Sequence, residues 1–146
     1  MFIACSFYIL HSQFYIPMHL SRLSGRKVCE RVKTKGMLWK GKHMQARILF
    51  GLPRNLPENT PPSLLVGILT SVRLDKSAVK RNRMRRRCRE ALRIMLQSKV
   101  QTLIPNPHPQ SSAQLLILPR SSSLSSPFGE ILADAKLLLS FLSARG

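Results

Sequence analysis

Acidic side chains are scarce in this chain. Six Asp and Glu stand against 24 Lys and Arg over 146 residues, a formal net charge of +18. Such an imbalance works against a compact state through self-repulsion unless a polyanion neutralises it. The scarcity also argues against autonomous hydrolysis. A two-metal nuclease needs carboxylates that converge, and Glu30, Glu58, Asp75, Glu90, Glu130 and Asp134 form no such pattern. Cysteine is rare too. Cys5, Cys29 and Cys88 are odd in number and include no C-x-x-C pair, which argues against a disulfide framework and a zinc site. His11, His19, His43 and His108 show no ligand spacing, and none is spaced to act with a Ser or Cys. Free thiols together with heavy positive charge suit a reducing, RNA-rich cytosol.

Long apolar runs are also missing. Residues 1–20 carry no Lys, Arg, Asp or Glu. A membrane-spanning helix needs roughly 20 apolar residues, and this stretch is interrupted by His11, Ser12, Gln13 and Pro17. A secretory signal would show a basic start and a small-residue cleavage site, and neither is present. The expectation is an unstructured or non-native extension over 1–20, with Met18 as an alternative start, followed by a single domain over 21–146. An interfacial anchor is the competing reading, and it predicts lipid binding that is lost with residues 1–17.

What is present resolves into short elements. Residues 21–36, SRLSGRKVCERVKTKG, predict a basic helix capped near Ser24 and stopped by Gly36, with Val28 and Val32 one turn apart. Lys40-Gly41-Lys42 reads as a turn. From Met44 to Phe50 apolar and polar residues alternate, the period of a half-buried strand. Pro53, Pro57, Pro61 and Pro62 mark a loop, and Leu64–Val72 a second, more buried strand. After a helix from Ser77 to about Gln97, another Pro- and Ser-rich loop covers 100–113. Gln114–Leu118 then predicts a short strand and Ser121–Ser126 a polar loop. In the last helix, Ser126 is the expected cap and Pro127 the first helical residue. Phe128, Ile131, Leu132, Ala135, Leu138, Leu139 and Leu142 form one apolar stripe meant for the core. Trp39, beside the turn, is available either to stack on RNA or to pack on a sheet edge.

The segment Lys80–Arg89, KRNRMRRRCR, holds seven Lys or Arg in ten residues. At about 100° per residue, Met84, Cys88, Ala91, Leu92 and Met95 share one side. Asn82, Arg83, Arg86, Arg89 and Arg93 share the other, and Arg81, Arg85 and Arg87 flank the seam. Like charges one turn apart, such as Arg81/Arg85 and Arg83/Arg87, each cost about 0.2–0.5 kcal/mol. Glu90 is the sole acid nearby. A solvated face is the ordinary explanation of a charge run, but such faces interleave acids, and folding alone gives no reason to add this repulsion. Arginine forks onto phosphate oxygens where lysine acts as a point charge, so the helix suits a structured RNA.

The segment SAVKRNRMRRRCREALR resembles the signature of bacterial ribonuclease P protein subunits: Ala78-Val79, Arg81-Asn82-Arg83, Arg85-Arg86-Arg87 and Arg89-Glu90-Ala91. Arg22-Leu23 and Gly36 are similar to the bounds of the family's first helix. Val66-Gly67 is similar to the strand before the signature, and LLILPR with the last helix to its end. The resemblance covers roughly Ser21 to Leu142. It implies an α+β fold, a small two-layer α-β sandwich. In it a four-stranded sheet carries the long basic helix between its third and fourth strands, in a left-handed crossover, and a C-terminal helix closes it. It implies removal of the 5′ leader from precursor transfer RNA. The catalytic RNA subunit, with magnesium, would do the chemistry, and the protein alone would bind no cofactor. It implies contact with that RNA through Lys80, Arg81, Asn82, Arg83, Arg85, Arg86, Arg87 and Arg89. A leader cleft would involve Cys29, Lys33, Met44 and Arg47. No catalytic residue or metal position is assigned to the protein, which would act in the cytoplasm as a monomer within the ribonucleoprotein, away from membranes. The chain departs from the family where Cys29, Lys33 and Met44 replace positions commonly aromatic. It departs again where Val72-Arg73-Leu74 leaves one cation in a tract that usually has two. The competing function is a ribosomal-type RNA-binding scaffold, which shares the charge but does not explain these elements in this order.

Overall fold

The computed structural model describes residues 19–60, 63–97 and 112–145. The chain runs β1 (His19–Arg22), α1 (Arg26–Lys35), β2 (Met37–Lys40), β3 (Met44–Phe50) and β4 (Ser63–Ile68). It continues through α2 (Ala78–Gln97), β5 (Ala113–Pro119), α3 (Ser122–Ser125) and α4 (Phe128–Arg145). The strands form one sheet in the order β1-β4-β5-β3-β2. β1 and β5 pair with β4 in parallel, while β3 pairs antiparallel with both β5 and β2. A parallel pair cannot be joined by a tight hairpin, so the β4-to-β5 connection crosses over, and α2 lies within it.

Alternation along the strands builds two cores. Met44, Ala46, Ile48, Leu64, Val66, Leu115 and Ile117 face one side. There they pack with Cys88, Ala91, Leu92 and Leu96 of α2 and with Ile131, Ala135, Leu138, Leu139 and Leu142 of α4. Leu65 and Leu116 face the other side, where Leu23 and Val32 join them and Val28 and Cys29 pack alongside. Fully burying a side chain such as Leu92 contributes about 1.5–3 kcal/mol. The apolar stripe of α2 therefore outweighs its like-charge pairs at about 0.2–0.5 kcal/mol each.

Several expectations are corrected. The sheet has five strands, so α2 follows the fourth, and helices cover both faces rather than one. The fifth strand is β1, which takes in His19 and Leu20 from the stretch expected to be unstructured, and Ser21 and Arg22 from the expected helix. Leu20 packs on the main core and Leu23 enters the second, and the Leu23 amide donates to Val66 O at 3.0 Å. Helix α1 accordingly starts at Arg26, after Gly25 at φ 102°. Gly36 ends it in an extended conformation, φ −71°, not a left-handed one. Its role is space: a Cβ there would lie 2.4 Å from Val32 O. β4 stops at Ile68, with one further bond to β5 from the Leu69 amide to Ile117 O at 2.9 Å, so Thr70–Val72 lie beyond the strand. The polar stretch at 121–126 contains the short helix α3. Ser126 does not cap α4; its hydroxyl lies 3.3 Å from His43 Nδ1. Trp39 is half-buried against the main core. Most of the loop expected at 100–113 lies outside the described residues. No helix among the described residues is long and apolar enough to cross a membrane.

Candidate RNA-binding cleft

A cleft of about 750 Å3 opens between α1 and α2 on the face of the sheet that carries α1. Its floor is apolar backbone and side chain: Leu23, Leu116 and the β4 segment Val66–Leu69. Gly67 lies in that floor, where an added Cβ would sit 3.3 Å from Leu116 Cδ1 and 3.5 Å from Leu23 Cβ. One wall is the end of β1 with α1, contributing Arg22, Arg26, Cys29, Glu30 and Lys33. The other is α2, contributing Asn82, Arg85, Arg86 and Arg89. The four α2 residues share a flank because spacings of three and four return to one side of a helix.

The sequence-predicted residues separate by flank. Asn82, Arg85, Arg86 and Arg89 look into the cleft, where Arg85 donates to Asn82 Oδ1. Lys80 and Arg83 are exposed and lie outside the cleft lining, with Lys80 Nζ 4.0 Å from Asp75 Oδ2. Arg81 turns back on the chain, donating through Nη1 to Asp75 O at 2.8 Å and Lys76 O at 3.1 Å. Arg87 points the opposite way from the cleft. Its guanidinium donates to Ser123 O at 2.7 Å, Leu124 O at 2.6 Å and Ser126 O. Those are carbonyls at the end of α3, which a helix leaves without internal partners. Of the residues expected on the RNA surface, Arg87 is thus one that ties α2 to the start of α4. Arg93, further along, pairs with Glu90, Nε to Oε2 at 3.0 Å. That hydrogen bond holds the Glu90 carboxyl below its ordinary range.

Of the four residues expected at the leader cleft, Cys29 and Lys33 line it. Met44 does not: its inward parity on β3 buries it completely in the main core on the other face. Arg47 has the right parity, but it lies outside the lining, with Nη1 3.4 Å from Gly36 O. Arg22 and Leu23 were missed as lining residues because β1 is too short to read from the sequence, although Arg22-Leu23 stands out in the family resemblance; Arg26 lies within the expected helix, where nothing but its charge marks it.

Glu30, Glu130 and Asp134 serve structural partners. Glu30 Oε1 accepts from Arg26 Nε at 3.2 Å. Glu130 Oε2 lies 2.8 Å from His43 Nε2 and 3.7 Å from Lys42 Nζ. Buried Asp134 accepts from the His43 amide at 2.6 Å. His43 Nδ1 lies 3.0 Å from Ser122 Oγ, so the β2–β3 turn is locked onto α3 and α4. Among the described residues no three His, Cys, Asp or Glu converge to hold a metal. Cys88 is core: burial pushes its thiol up to about 12.

The profile of the Ribonuclease P family matches residues 19–142. The chain belongs to the Ribonuclease P family. As a ribonuclease P protein subunit its partner is the ribonuclease P RNA and its setting is transfer RNA processing. The match begins at the first residue of β1, the strand that closes one side of the cleft. The fold is similar to that of the Staphylococcus aureus RNase P protein, with a TM-score of 0.58 at 15% identity over 83% of this chain and 94% of that one. It is similar also to the RNase P protein from Thermotoga maritima, with a TM-score of 0.59 at 17% identity over 83% and 96%. No curated protein sequence matches the chain significantly.

Proposed function

We propose that this subunit assists the catalytic RNA in removing the 5′ leader of precursor transfer RNA, by holding both RNAs on the two flanks of α2. The outward flank, with Lys80 and Arg83, meets the RNA subunit. The cleft flank, with Asn82, Arg85, Arg86 and Arg89, meets the single-stranded leader against α1. The observation that carries this reading is the cleft itself: two basic helices face each other across an apolar floor, a groove that tracks a polyanionic strand. Hydrolysis and its magnesium belong to the RNA subunit, and the protein contributes affinity and position. It works in the cytoplasm, as a monomer within the ribonucleoprotein.

Reconstitution tests the proposal. The full chain is mixed with a bacterial ribonuclease P RNA, and cleavage of a 5′-extended precursor is followed at low magnesium. The protein is expected to stimulate cleavage, and Lys80→Ala with Arg83→Ala to weaken its affinity for the RNA subunit. The same pair is expected to reduce the salt slope of that affinity by about 0.9 per lost phosphate contact. Tight, salt-sensitive binding without stimulation would contradict the proposal and leave a ribosomal-type scaffold in its place.

A further inference from the structure

The cleft has cations and an apolar floor, and among the described residues none of its lining side chains is aromatic. The aromatic residues that the structure describes, Trp39, Phe50, Phe128 and Phe141, all pack against the main core, on the other face of the sheet. Single-stranded RNA is gripped in two ways: by stacking bases on aromatic faces, or by charge along the sugar-phosphate chain. The first needs rings, and none of the described residues places one in this cleft. The second needs cations spaced along a groove, and Arg22, Arg26, Lys33, Arg85, Arg86 and Arg89 supply them from three elements.

Readers of base edges are scarce as well. Asn82, whose side-chain amide is suited to pair with a base, already accepts from Arg85 through Oδ1. The acid in the lining, Glu30, accepts from Arg26 at 3.2 Å. From these observations, and resting on the proposed leader role, we infer that the cleft recognises the leader by its phosphates and is indifferent to its bases. Leu23, Leu116 and the β4 backbone shape the groove without selecting a nucleotide, and the guanidinium forks fix the chain within it.

The test changes one half of the leader at a time. Three precursors are prepared with the same transfer RNA body: a natural leader, a leader of abasic nucleotides, and a leader with uncharged methylphosphonate linkages. Each is cleaved by a bacterial ribonuclease P RNA with and without the full-length protein, and the protein's effect on KM is read as a ratio. Base stacking, where it operates, is worth about 5- to 150-fold per base. The abasic leader is expected to keep the protein's effect with no loss of that size, and the uncharged leader to lose it. Affinity for the natural and abasic leaders should fall with salt at the same slope, about 0.7 per phosphate engaged. An abasic leader that loses the effect while the uncharged one keeps it would overturn the inference and leave the leader role standing. No effect on the natural leader would remove both.

Discussion

Arg87 shows how one position in a run of like residues can be set apart by its surroundings. Arg85, Arg86 and Arg89 face the cleft, whereas the Arg87 fork closes three carbonyls between Ser123 and Ser126. Hydrogen bonds to a charged group contribute about 1.5–3 kcal/mol each, and a lysine cannot reproduce the fork. Arg87→Lys should therefore lower stability by about 1.5–3 kcal/mol in urea unfolding, whereas Arg86→Lys, on an exposed site, should change it little. Cys88 gives a second check. Its ordinary thiol value is 9.0 and burial raises it to about 12, so the folded state keeps a proton that the unfolded chain releases. The contribution of the buried thiol is whole below about pH 9 and is lost as pH climbs toward 12. The urea midpoint of the natural chain should thus fall more steeply between pH 9 and pH 11 than that of Cys88→Ala.

Elements were legible where periodicity ran long. The strand at Met44–Phe50, the basic helix and the final apolar helix follow from patterns that burial enforces. β1 was not legible: four residues, two of them read as part of a helix, carry too little pattern to show a parallel strand whose partner is over 40 positions away. The cleft wall that it supplies was hidden with it. Met44 was misplaced for a related reason. Membership of a strand was readable, but which face of the sheet meets which helix depends on connections that alternation does not report. Gly36 makes a prediction at this scale. A Cβ there would stand 2.4 Å from Val32 O and 3.1 Å from Ile48 N and O, all backbone that cannot swing aside. Overpacking costs about 1–3 kcal/mol, so Gly36→Ala should destabilise the fold by at least that amount. Gly129→Ala, with nothing within 4 Å of its Cβ, should not. Thermal melts of the two variants compare them directly.

For the whole molecule, the +18 charge is a liability when the protein is alone and an asset against RNA. Acids neutralise a few cations locally, as Glu30 does Arg26 and Glu90 does Arg93, and the remaining field awaits a polyanion. Anything that binds the folded state alone stabilises it, by about 2.7 kcal/mol at a hundredfold excess over Kd. Ribonuclease P RNA should raise the melting temperature of the protein, and the increase should shrink as salt is added. If six to ten phosphates are engaged, affinity should fall by about 10³–10⁵ between 50 and 200 mM salt. The alternation of core residues and the pattern of α2 together account for a subunit that folds by burying one stripe of that helix and leaves most of its charge at the surface.

The proposal that the cleft between α1 and α2 holds the leader is tested by comparing the affinity of the reconstituted ribonucleoprotein for a leader-bearing precursor with that for the mature transfer RNA. The natural protein should favour the precursor. Arg86→Ala with Arg89→Ala should abolish that preference, leaving mature-substrate affinity and binding of the RNA subunit intact. A double variant that still prefers the precursor as strongly as the natural protein would contradict the claim.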